Sequence, residues 1–251
     1  MNKYTKSAVE QVFLGPVLVY VLSLLLSSHH CHRSPGKMLQ NYIITFETRT
    51  LSITVAFLYH RYLGALSFFH FSEYIVTSVI RPSRLGLDSF LLNHSPAYKA
   101  AAVASWIEFF IEIYFFPDLK ALKYVTWAGL GLCIFGEVLR KGAMLTAGFH
   151  FDHLIRYEKE EGHSLITHGV YSYMRHPAYV GWFYWAIATQ LILVNPVCVL
   201  AYMWASWNFF NARIFEEECT LLNFFGEDYL NYQSRVPTGL PFIAGYRYDK
   251  M

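Results

Sequence analysis

The chain has 251 residues, of which 55% are hydrophobic, 18% aromatic and 15% charged, with a formal net charge of +2. Soluble domains carry about 25% charged residues, so this composition leaves too little polar surface for a water-exposed globule. The near-zero balance gives no strong basic field of the kind that draws nucleic acid. Cys31, Cys133, Cys198 and Cys219 lie far apart, and no CxxC or Cys/His ligand spacing occurs. Neither a zinc site nor a disulfide framework is therefore expected.

The length permits one or two domains, but the apolar runs point to one membrane bundle. A bilayer crossing needs about 20 mostly apolar residues. The first candidate is Ala8–Ser28, whose apolar run follows Lys3 and Lys6. It has the look of a signal peptide, but Ser28-His29-His30-Cys31-His32 follows in place of a small-residue cleavage pattern, so it reads as a spanning helix. The His29/His30/His32 and Cys31 cluster reads as a hydrated loop, with metal binding as the alternative. Leu39–Tyr59, Tyr62–Ile80, Ala97–Phe116 and Leu122–Leu145 are the next candidates. Gly129, Gly131 and Gly136 fall inside the last of these, with the wrong spacing for a dinucleotide fingerprint; they are expected to serve close helix packing. The stretch Ala178–Phe210 is too long for one crossing, and Asn195-Pro196 divides it into a hairpin, Ala178–Val194 and Val197–Phe210. The expected fold is all-α, a polytopic transmembrane helix bundle of seven spans. Residues 1–146 would supply N-terminal membrane helices and residues 147–251 the catalytic region.

Basic residues set orientation. Those of the C-terminal half lie mostly in the Arg140–Arg175 loop and in the tail after Phe210, and the Asn195 tip has none. The loop and tail are expected to face the cytosol and the tip the opposite side. At the N-terminus Lys3 and Lys6 compete with Arg33 and Lys37, so that end gives no clear orientation.

Three constellations stand out. The polar loop from His150 to Tyr179 is rich in His and Tyr and ends at Pro177, a residue suited to the first turn of a helix. Arg175 and His176 would then stand at a helix mouth whose free N–H groups favour an anion; an ordinary basic membrane anchor is the plainer interpretation. Arg213 and Glu217 lie one turn apart on a helix. An intrahelical ion pair is the simple account, but a base preceding an acid is the poorer orientation, and ionisable groups at the edge of a membrane bundle mark functional sites. The third is an aromatic stretch, Phe224-Phe225-Gly226…Tyr229…Tyr232, ending in the Pro/Gly turns of Pro237 to Pro241; its individual aromatics suit structural packing. No P-loop, GxSxG or HExxH occurs.

Taken together, His163-Ser164-Leu165-Ile166, Thr167-x-Gly169-Val170-Tyr171, Arg175-His176-Pro177-x-Tyr179-x-Gly181-Trp182, Arg213-x-x-x-Glu217 and Phe224-Phe225-Gly226…Gly239-Leu240-Pro241-Phe242 resemble the isoprenylcysteine carboxyl methyltransferase family. The resemblance covers roughly residues 147–245. It implies eight spans, residence in the endoplasmic reticulum membrane with the site facing the cytosol, and methyl esterification of prenylated CaaX proteins such as small GTPases. It implies that S-adenosylmethionine is held by His163, Ser164, Leu165, Ile166, Tyr171, His176, Pro177, Ala178, Tyr179 and Glu217. Arg213 would hold the substrate carboxylate, so that Arg213 and Glu217 form the catalytic pair. A further cofactor contact, Gln in some relatives, falls at Arg156. No metal is implied.

The chemistry suits these residues. An α-carboxylate is already ionised at neutral pH, so no general base is needed, and positioning supplies most of the acceleration. Guanidinium can grip a carboxylate bidentately. A polar donor would enter from the cytosol, whereas a prenyl chain gains about 0.8 kcal/mol per buried CH₂ in lipid and would arrive sideways. Competing assignments are a phospholipid amine methyltransferase and a sterol-type reductase. The latter would want a basic cluster for a 2′-phosphate, for which Lys141, Arg156 and Lys159 are the candidates. A scaffold or transporter is a further alternative, but no paired broken helices are seen.

Overall fold

The computed structural model describes residues 35–92, 95–159 and 162–246, with side chains from residue 53 onward. Ala8–Ser28, the His29–His32 cluster and the N-terminal lysines lie outside the described residues. Five long helices and one short one follow in order: α1 Pro35–Ile80, α2 Pro96–Phe115, α3 Lys123–Ala147, α4 Pro177–Leu193, α5 Pro196–Phe225 and α6 Glu227–Arg235. No strand occurs among the described residues, as the all-α expectation requires.

α1 corrects one expectation. Leu39–Tyr59 and Tyr62–Ile80 are not two crossings but parts of one continuous 46-residue helix, about 69 Å long at 1.5 Å per residue. The sequence between them contains no proline, and a lone Gly64 costs a helix only about 1 kcal/mol. The polar pair at the expected break is accommodated within the helix. His60 Nδ1 lies 2.6 Å from the Ala56 carbonyl one turn back, and the Arg61 guanidinium stacks 4.5 Å from the Trp127 ring centre. The helix stops where Pro82 restricts the residue before it. Within α1, Ile53–Ile80 is long and apolar enough to cross a bilayer, with a mean hydropathy of 1.3.

The hairpin forms where the Asn195-Pro196 signal places it. Val194 takes a left-handed turn at φ 56° and Pro196 opens α5. Although the tip has no basic residue of its own, Lys120 from the connection between α2 and α3 is buried against it. Its Nζ donates to the Leu193 and Val194 carbonyls (2.9 Å each), Asn195 Oδ1 (3.0 Å) and Glu112 Oε2 (2.5 Å). Glu108 accepts the first amides of α5, Val197 at 2.7 Å and Cys198 at 2.6 Å. The cation thus satisfies orphan carbonyls at one helix end and the carboxylate orphan amides at the next.

α3 and α4 pack most closely. A Cβ on Gly136 would stand 2.6 Å from the Gly181 carbonyl oxygen, and one on Gly181 would stand 2.6 Å from that of Gly136. A Cβ on Gly129 would meet Ile192 N at 2.8 Å, whereas Gly131 has nothing within 4 Å. Close packing therefore accounts for Gly129 and Gly136 and not for Gly131. One core joins α1 to α4 through Phe69, Phe109, Trp185 and Ile192. A second joins α4, α5 and the closing turn through Phe183, Phe210, Ile214 and Leu240. This second core fixes the mouth of α4 against the later half of α5, which runs fifteen residues past Phe210 and carries Arg213, Glu217 and Glu218.

Candidate functional site

A cavity enclosing about 910 Å³, part of it open solvent, sits between the polar loop, the first turn of α4 and the end of α5. His163, Ser164, Leu165, Ile166, Tyr171, His176, Pro177, Ala178, Tyr179, Glu217 and Arg156 all line it. These residues span more than sixty positions of sequence, and the fold gathers them on one surface. Arg213 stands just behind the wall. Its Nε donates to Tyr179 Oη at 2.9 Å and its Nη2 to the His153 carbonyl at 2.6 Å.

Arg175 and His176 do not form a solvated anchor. Both are buried, and their backbone amides bond the Pro237 and Thr238 carbonyls at 2.8 and 3.1 Å. The Arg175 guanidinium donates to Glu218 Oε1 (2.8 Å), to the Gln233 and Ala244 carbonyls (3.2 and 3.1 Å) and to that of Val236. It therefore ties the closing segment to α5. The α4 mouth is also less open to an anion than expected, because the Tyr179 and Val180 amides both bond the His176 carbonyl at 3.1 Å.

His176 faces two neighbouring carboxylates. Nε2 lies 3.0 Å from Glu218 Oε1, and Nδ1 lies 3.6 Å from Glu217 Oε2. Burial opposes a charged imidazole, but the two carboxylates outweigh it and push the His176 pKa up to about 9. Burial likewise opposes ionisation of Glu217 and Glu218; His176, with Tyr179 and Arg213 at Glu217 and Arg175 at Glu218, holds both below the usual carboxylate range.

The two glutamates differ in what they have left to offer. Glu218 is fully buried and saturated, accepting from Arg175, from Gln233 Nε2 at 3.0 Å and from the Tyr246 amide at 2.9 Å. The backbone passes so close that a Cβ on Gly245 would overlap its carboxylate. Glu217 Oε2 is buried with no hydrogen-bond partner among the described residues and belongs to the cavity wall. Tyr229 Oη and His150 Nδ1 are in the same position. A buried polar atom left unpaired costs about 1–3 kcal/mol, so this wall is built for a ligand that both donates and accepts. Aromatic faces complete it: His176 stacks on Tyr179 at 5.5 Å and 3°, and His163 meets Phe225 edge-on at 5.3 Å.

Sequence reasoning missed Glu218, His150, Asp152 and the cavity faces of Phe224, Phe225, Tyr229 and Tyr232. The aromatics were visible as a cluster, but nothing local distinguished a packing ring from a lining one. Asp152 anchors Arg81 at 2.7 Å and Arg156 at 3.4 Å. Burial works against its charge, but the Leu154 amide and the arginines hold its carboxyl below the usual range. The bases considered for a 2′-phosphate do not converge. Lys141 pairs with Glu73 and Glu137, Arg156 with Asp152, and Lys159 with the Phe224 carbonyl.

Comparison with known proteins places these features in context. The sequence model of the isoprenylcysteine carboxyl methyltransferase (ICMT) family matches residues 129–223. The chain is 55% identical over 186 residues to a protein-S-isoprenylcysteine O-methyltransferase of Tribolium castaneum, covering 74% of this chain and 66% of that protein. It is 54% identical over 188 residues to the Homo sapiens protein of that name, covering 75% and 66%. The chain thus spans just under two thirds of the length of these relatives. It also resembles the solved structure of a eukaryotic intramembrane Ras methyltransferase, ICMT, with 42% identity and a TM-score of 0.75, covering 98% of this chain and 89% of that one.

Proposed function

The chain belongs to the isoprenylcysteine carboxyl methyltransferase family, and from that premise we propose that it methylates the C-terminal carboxylate of S-prenylated cysteine, with S-adenosylmethionine as donor. One observation carries this reading. Arg213 donates at 2.9 Å to Oη of Tyr179, which lines a cavity whose Glu217 Oε2 faces the His176 charge but has no hydrogen-bond partner among the described residues. A fixed cation just behind the wall and an acceptor inside with no hydrogen bond match an anionic methyl acceptor and a donor rich in hydroxyl and ammonium groups.

The donor set fits such a cofactor. Glu217 and Tyr229 would meet its polar groups, Tyr171, His163 and Phe225 its flat or apolar surfaces, and the Ser164–Ile166 strip its edge. Arg156, whose charge is committed in part to Asp152, closes the wall. When bound, S-adenosylmethionine supplies an activated methyl group on sulfonium sulfur. Arg213 holds the acceptor carboxylate in line, already ionised, so no residue need remove a proton. Its partners restrain the guanidinium without exhausting its five donors. The clamp is a steering contact rather than a tight ground-state grip, as catalysis requires.

A multi-pass bundle suits this division, with residues 1–146 as membrane helices and 147–251 as the catalytic region. With α1 counted once, the crossings available among the described residues are α1 to α5, and the Ile53–Ile80 part of α1 is long and apolar enough to cross by itself. Residence in the endoplasmic reticulum, a cytosol-facing site and prenylated CaaX proteins such as small GTPases as substrates complete the proposal. The test is transfer of a tritiated methyl group from S-adenosylmethionine to a minimal farnesylated cysteine, with phosphatidylethanolamine as the competing acceptor. Methylation of the lipid and not of the cysteine would overturn it.

A further inference from the structure

We infer that Glu73, on α1 and far outside the stretch that carries the family pattern, is a positioning residue for Arg213, acting through His153. The inference rests on the role proposed for Arg213. Glu73 is fully buried, and four polar contacts converge on its carboxylate. Arg140 grips it bidentately, Nε to Oε1 at 2.6 Å and Nη2 to Oε2 at 2.9 Å. Lys141 donates to Oε1, and His153 Nε2 reaches Oε2 at 2.8 Å.

The geometry gives this cluster a direction. Residue 153 has two polar ends: its imidazole is tied to Glu73, and its carbonyl accepts Arg213 Nη2 at 2.6 Å. His153 lies in a stretch without regular secondary structure, so no backbone ladder fixes that carbonyl. The side-chain tether does so. On the other side of Glu73, Arg140 Nη1 donates to the Ala178 carbonyl at 3.2 Å, and Ala178 lines the cavity in the first turn of α4. One carboxylate thus sets two walls of the site at once, the loop that holds the guanidinium and the helix mouth.

A merely structural anion would stabilise the bundle and leave the chemistry alone, so the test separates the two. The full chain is reconstituted in nanodiscs as wild type, His153→Ala, Glu73→Gln and the double variant. His153→Ala cuts only the tether and leaves the Arg140–Glu73 pair intact, so it decides the matter even if Glu73→Gln does not fold. The expected result is a fall in kcat/KM for farnesylcysteine of about ten- to a hundredfold, as for a misplaced positioning group. In His153→Ala, which leaves the Arg140–Glu73 pair in place, the S-adenosylmethionine Kd should stay within about twofold, and in kcat/KM the double variant should lose no more than the worse single. Wild-type kcat/KM in His153→Ala, or losses that multiply in the double variant, would overturn the inference. A second readout does not depend on turnover. Phenylglyoxal labelling of Arg213, followed by mass spectrometry, should quicken in His153→Ala once the guanidinium is released. Unchanged labelling would sink the Glu73 link, whereas a wild type inert towards farnesylcysteine would sink only the assigned reaction.

Discussion

His176 Nε2 stands 3.0 Å from Glu218 Oε1, and that contact separates two carboxylates the sequence places side by side. Glu218 is used up by the protein, and Glu217 is left for a ligand. The pair predicts opposite phenotypes. Glu217→Ala should weaken S-adenosylmethionine binding by about tenfold or more, the worth of one charge-assisted hydrogen bond, with a smaller fall in melting temperature than Glu218→Ala, since it removes only the 3.6 Å partner of His176. Glu218→Ala should cost about 3–5 kcal/mol of stability, because it strands buried Arg175. Isothermal titration and thermal unfolding in detergent read the two effects. A stable Glu218→Ala with weakened cofactor binding would reverse the assignment.

Arg213→Ala should lower turnover by at least about a hundredfold, the loss of roughly 2.7 kcal/mol of transition-state contact. Cofactor affinity should be nearly intact, since the guanidinium lies behind the cavity wall on Tyr179 and His153. Arg213→Lys should recover little, because an ammonium cannot span both a carboxylate and its anchors. Near-normal activity in either variant would refute the clamp.

The raised pKa of His176 makes stability depend on pH in a fixed direction. Its folded value, about 9, lies above the ordinary 6.5. Its contribution is therefore fully present below about pH 6.5 and is lost as pH climbs through about 9. The melting temperature should fall across that window in the wild type and fall less in His176→Asn. The depressed Glu217 and Glu218 act at the other end, adding stability above their ordinary range and losing it as pH drops. A wild-type profile flat from pH 6.5 to 9 would count against a charged His176.

Gly136→Ala and Gly181→Ala should each cost about 1–3 kcal/mol or more, as overpacking does, because the added carbon would meet a carbonyl oxygen at 2.6 Å. Gly131→Ala, with open space around it, should be neutral or stabilise by up to about 1 kcal/mol through helix propensity. Thermal unfolding of the three variants side by side provides the measurement.

Local signals in the sequence carried further than might be expected of a membrane chain. Asn195-Pro196 marks the hairpin because proline opens a helix, and Pro177 marks the mouth of α4 for the same reason. The residues proposed to hold a cofactor line one cavity, and they were legible because all but Glu217 fall in the single polar stretch from Arg156 to Tyr179. What could not be read was pairing at a distance. Glu73 meets His153 across eighty positions, and no periodicity announces such a partner. Glu217 and Glu218 differ only in which way one helix turns. The false break at His60-Arg61 arose because polarity was taken for a loop, when a stacked guanidinium and a back-bonded imidazole let the helix run through.

The contact of Gly136 with Gly181 has a bearing on traffic. Two helices whose backbones touch present no gap that a hydrocarbon tail could prise open, and nothing between them can rotate aside as a larger side chain would. Between α3 and α4 at that level the bundle is closed. On the proposed activity, a lipid-borne acceptor would have to reach the cavity along the other flanks of α4, where side chains such as Trp182 and Phe210, rather than backbones, fill the space.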